Sequence, residues 1–188
     1  MLVVMVMMSA CSEEGAASVT EMSAREGRDE VVRLVIETTK QLDLEGWWPR
    51  NGEAAPDVCS RADGQEGASY SYERWAPRGT DFAGDARKVA AYWESLGMSV
   101  RIADSTPWPS VYAEGGPVLR AAFDTSAADD SYQIVAVAPC AEGDYYDLLL
   151  EDNAQRAAGE VLPGDEGVRV KPDPDEMPPP AELQPSDF

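Results

Sequence analysis

Histidine is absent from this 188-residue chain, and that removes most familiar catalytic chemistry. Without imidazole there is no Ser-His-Asp or Cys-His nucleophile, no His-ligated zinc and no ordinary general base near neutral pH. Carboxylates, lysines and tyrosines remain. Glycoside hydrolysis needs two carboxyl groups at a set separation in a cleft, one with a raised pKa, and among the 35 acidic residues no pair stands out. Neither a Ser-x-x-Lys motif nor a Gly-x-Ser-x-Gly elbow occurs, and glycine-rich phosphate loops are missing too. Two acidic groups have spacings to weigh as metal sites. Asp173, Asp175 and Glu176 share the opening of a calcium loop, but Pro178 stands where such a loop needs glycine. Asp144, Asp147 and Glu151, with Asp152 beside them, line one face if their segment is helical, able in principle to collect a divalent cation, but a solvated helix face is the favoured reading. The expectation is a non-enzymatic chain with no metal and no cofactor.

The remaining chemistry is aromatic. Trp47, Trp48 and Trp108 fall at element ends or in loops, where an exposed ring can stack on a sugar or a protein partner. They are the candidate ligand-binding residues; the alternative is that they cover the ends of a small core. Net charge narrows the partners. At −20, with a pI near 4.1 and no Lys/Arg cluster, the chain lacks the basic face that nucleic acid requires. The same acidity repels anionic headgroups, so contact with a membrane would have to come from acyl chains.

An acyl attachment point is present. The chain opens MLVVMVMMSAC, an apolar run, two small residues and a cysteine. Met8-Ser9-Ala10-Cys11 resembles the lipobox of bacterial lipoproteins. The resemblance implies that residues 1–10 are a cleaved export signal and that Cys11 carries a diacylglyceryl anchor on the extracytoplasmic face of the cell membrane. No Lys or Arg precedes Arg25, although a signal's n-region is basic, so a start upstream of Met1 is expected. The alternative is a loose apolar end with Cys11 unmodified. The run is too short to span a bilayer, which takes about 20 apolar residues. With Cys11 assigned to lipid, Cys59 and Cys140 are left as a pair in an oxidising compartment, where a disulfide persists. Closing a loop of 81 positions contributes about 4 kcal/mol in the chain-entropy model.

The elements that must position these residues follow from periodicity. Val31, Leu34, Val35, Thr38 and Leu42 mark one face of a helix over Asp29–Leu44, stopped by Gly46 and Pro49. Ser69 to Trp75 reads as a strand. A second helix runs from a cap at Thr80 to Gly97, with Phe82, Ala86, Val89, Trp93 and Leu96 inward. Met98, Val100 and Ile102 then alternate as a strand, and SVYAE and PVLRAAFDT flank Gly115-Gly116 as a hairpin, with Leu119, Ala121 and Phe123 on one face. SYQIVAVAP suits a central strand. Tyr145–Ala158 reads as a helix, with an extended strand over YYDLLL as the alternative.

Hairpin-spaced strands give an α+β fold: an antiparallel sheet of four to five strands, two or three helices on one face, and one disulfide. Residues 11–28 read as a flexible tether, 29–159 as a single domain, and 160–188 as an acidic, proline-rich tail too poor in apolar residues to fold. With the MSAC tetrad, the YWESLG helix end, the strand after it and the APC near the last strand, the chain is similar to small lipoproteins of high-GC Gram-positive bacteria. That likeness implies no reaction. The functional expectation is a monomeric, lipid-anchored binding protein of the cell envelope, its partner a protein or a cell-wall ligand. The alternatives are an immunity or inhibitor lipoprotein that neutralises a basic protein, or a metal- or solute-binding lipoprotein.

Overall fold

Ser23 starts the first helix. Its hydroxyl accepts the Glu26 N–H while the Glu26 carboxylate accepts the Ser23 N–H at 2.8 Å, a reciprocal cap that satisfies two free donors. The computed structural model describes residues 22–50 and 52–167. Cys11, the apolar run before it and the acidic segment from residue 168, with Asp173, Asp175, Glu176 and Pro178, lie outside the described residues. Helix α1 spans Ala24–Thr39, so it begins inside the stretch read as a tether and ends before Leu44. The early start was hidden because its first turns are polar. Arg28 is buried there, and a buried arginine looks like a surface residue to any hydrophobicity pattern.

The strands are β1 (Ala55–Ser60), β2 (Glu66–Pro77), β3 (Ser99–Ala103), β4 (Ser110–Glu114), β5 (Arg120–Ala127) and β6 (Ser131–Val137). They form one six-stranded antiparallel sheet in the order β1-β2-β6-β5-β4-β3. The sheet exceeds the expected four to five strands by β1. That strand contains Pro56 and Cys59 in a segment that reads as a loop, and it occupies a sheet edge, the position where proline is tolerated. Helix α2 is Phe82–Ser95 and α3 is Tyr145–Ala157. The cap of α2 is Asp81, whose carboxylate accepts the Gly84 N–H at 2.9 Å, and not Thr80. Gly97 does stop that helix, at φ +78°.

All three helices lie on one face of the sheet. α1 packs on β2 and β6, α2 on β3, β4 and β5, and α3 on β1 and β2. In register, Tyr72, Ala136, Ala121 and Ala113 form a row beneath them. Tyr70, Ile134, Phe123 and Val111 continue this buried side of the sheet. The inward residues expected of α1 and α2 do build the core, and Trp93 joins the two helices by donating its indole N–H to the Thr38 hydroxyl at 2.9 Å. Leu119 is the exception. It precedes β5 and is 48% exposed instead of sharing the buried face with Ala121 and Phe123.

Charge is buried under α3. Asp152 is wholly buried and accepts the Tyr70 hydroxyl at 2.7 Å, with Arg25 at 3.2 Å and Arg28 at 3.7 Å. Paired this way, a buried carboxylate is tolerated and orients the helix that carries it. The ordered chain also runs past residue 159. Leu162 is buried, and Arg156 clamps Asp165 through two nitrogens.

Candidate binding face

A sheet with every helix on one side leaves its other side bare, and alternation decides what stands there. Arg101, Tyr112, Ala122 and Val135 form one row on the bare face, and Glu114, Arg120 and Val137 the next. Two shallow depressions meet here. One, of about 260 Å³, is lined by Arg101, Tyr112, Arg120, Ala122 and Val135. The other, of about 340 Å³, runs from Arg120 and Val137 to Ser69, Ser71 and the Cys59–Cys140 disulfide. The guanidinium of Arg101 lies 4.6 Å from the ring centroid of Tyr112, within cation–π range. Arg120 has no ion pair or hydrogen bond through its side chain among the described residues, and Arg101 has only the tyrosine ring.

The three candidate tryptophans are dispersed. Trp47 is half-buried against the core, whereas Trp48 is 38% exposed and bridges to Trp75 through paired backbone hydrogen bonds of 2.8 and 2.9 Å. Neighbours in an extended segment point to opposite sides, so the two indoles never act as one surface. Trp48 shares the bare side with Trp75, which Arg50 covers at 4.5 Å. Trp108 is 42% exposed in the loop before β4, and Arg78 lies 5.3 Å from its ring. β2, β6 and β5 separate Trp48 from Trp108. That loop also borders a wider depression of about 580 Å³ between α2 and β3, with Arg87, Ile102 and Pro107 in its walls.

The acidic group of α3 is divided among structural tasks. Asp144 caps the helix, accepting the N–H of Tyr146 at 2.8 Å and of Asp147 at 3.1 Å. Glu151 pairs with Arg25 at 2.8 Å, and Asp152 faces inward. Among the described residues no three His, Cys, Asp or Glu side chains are grouped to hold a metal ion, and no helix is long and apolar enough to cross a membrane. Cys59 and Cys140 form the disulfide, with their Cα atoms 5.8 Å apart.

Sequence reasoning passed over Arg101, Tyr112 and Arg120. The signal was available: each sits at an outward position beside apolar inward neighbours (Val100, Val111, Ala113, Ala121), and tyrosine and arginine are residues enriched where proteins bind.

No family model matches the chain, and no curated protein matches it. Among solved structures it is similar to a DUF4853 family protein from Actinomyces odontolyticus, with 16% sequence identity and a TM-score of 0.43 over 65% of this chain and 67% of that one. None of the residues described above takes a role from that likeness.

Proposed function

We propose that this chain is a lipid-anchored, extracytoplasmic binding protein of a bacterial cell envelope, held by Cys11 and presenting the bare side of its sheet to a ligand. The observation that carries the reading is the bare face itself: two arginines without carboxylate partners and an exposed tyrosine, above half-buried valines, in a molecule whose charge is −20. Among the described residues most cations are held in carboxylate ion pairs, whereas Arg101 and Arg120 are in none, which leaves both guanidinium groups open to a ligand. The Cys59–Cys140 bridge supports export, because such bonds persist in oxidising compartments. Catalysis has no support, since the buried carboxylates Asp85 and Asp152 are held by tyrosines and cations inside the core.

The test is the intact mass of the protein purified from membranes of an expressing Gram-positive host, before and after reduction and alkylation. The expected species begins at Cys11, is heavier by a diacylglyceryl group, and takes up two alkyl groups only after reduction. A chain that retains Met1 without lipid contradicts the anchor.

A further inference from the structure

Resting on the reading of the bare face as the binding surface, we infer that its ligand is an amphiphile with one anionic head, a carboxylate or phosphate, held between Arg101 and Arg120, and an apolar chain laid along Val135 and Val137. Arg101 is on β3 and Arg120 on β5, two strands and one row apart on the same face. From strand spacing and rise their Cα atoms are about 12 Å apart, so two arginine side chains converging from opposite sides can reach one group between them. Guanidinium is suited to this, because its planar fork matches the oxygens of carboxylate and phosphate. Tyr112 stands in register between Arg101 and Ala122 and stacks with Arg101, which fixes that fork before a ligand arrives.

Neighbouring charges limit the ligand to a single anionic group. Glu114 is beside Arg120 in the register, and Asp57 lines the far end of the adjoining depression. A polyanion lying across the sheet would meet both carboxylates. From Arg120 the surface instead continues over Val137 to Leu119, the residue that is exposed where its pattern called for burial. An apolar chain covers that surface and is paid in hydrophobic free energy for doing so.

Dodecyl phosphate below its micelle concentration is the probe, titrated calorimetrically into the folded protein. Inorganic phosphate and the uncharged dodecyl maltoside are run in parallel. Dodecyl phosphate is expected to bind, Arg101→Gln and Arg120→Gln each to weaken it about tenfold or more, and Arg33→Gln on the helix side to leave it unchanged. Inorganic phosphate is expected to bind at least tenfold more weakly, and the maltoside not to bind. Equal binding of the maltoside, phosphate as tight as dodecyl phosphate, or affinity indifferent to both arginines overturns the inference. All three substituted residues are at the surface, so unchanged thermal midpoints establish that the variants are folded. Should dodecyl phosphate fail while cross-linking from the Tyr112 position still finds a ligand, the head-and-chain assignment falls and the binding face stands.

Discussion

Two buried phenols make the molecule sensitive to alkali. Tyr70 donates to Asp152 and Tyr132 donates to Asp85 at 3.0 Å. Burial first, and the carboxylate partner second, push both pKa values well above the ordinary 10.0. In the unfolded chain each phenol loses its proton near pH 10, while in the folded chain it keeps it. Above that pH the unfolded state therefore binds fewer protons, and stability falls as pH rises. The contribution is complete below about pH 10 and disappears as pH climbs toward the folded values. Urea unfolding midpoints measured from about pH 8 to about pH 11.5 are expected to hold level and then drop. In Tyr70→Phe the drop should be shallower relative to that variant's own plateau. Parallel curves for the two proteins would contradict this account of Tyr70.

At the scale of elements, a close backbone approach lies where β2 passes the disulfide. Cys59 is in register with Gly67, and the segment after β6 returns to β2 through paired hydrogen bonds between Ala68 and Ala141. A Cβ on Gly67 would stand 2.3 Å from the Ala141 carbonyl oxygen, a backbone atom with nowhere to go. Gly67→Ala should therefore cost about 1–3 kcal/mol in thermal or urea unfolding, whereas Ser71→Ala, at an exposed site on the same strand, should cost little. An unchanged midpoint in Gly67→Ala would mean that the returning segment is not held there.

The elements that could be read from sequence are those whose burial follows their periodicity. Helix α2 carries apolar residues inward and a glycine stop, and β4 to β6 alternate between turns; both patterns come from the same side-chain geometry that the core uses, whereas β3 leaves Ile102 exposed. The elements that escaped break the link between polarity and exposure. The start of α1 rests on a capping box and on Arg28, buried beside Asp152. β1 carries a proline and no clear alternation, which an edge strand tolerates because it need bury little. The final turn is held by Leu162 and the Arg156–Asp165 pair inside a composition that reads as tail. Of the candidate site, the disulfide was legible from the cysteine count together with the expected export. The dispersal of Trp47, Trp48 and Trp108 was not, because loop position alone does not say which strands lie between.

For the molecule as a whole, asymmetry is the main result. Helices, core and buried ion pairs are on one side of the sheet, and the other side presents Arg101 and Arg120 outside any ion pair among the described residues, in a chain of charge −20. Tethered through Cys11, such a body would present that side to whatever the envelope contains. The most direct measurement places a photo-cross-linking amino acid at Tyr112 on the bare face and, in a second protein, at Arg33 on the exposed side of α1. Both are expressed in a Gram-positive host and irradiated in intact cells. The account predicts a discrete cross-linked species from the Tyr112 position and none from Arg33. Equal cross-linking from both positions, or from Arg33 alone, would contradict it.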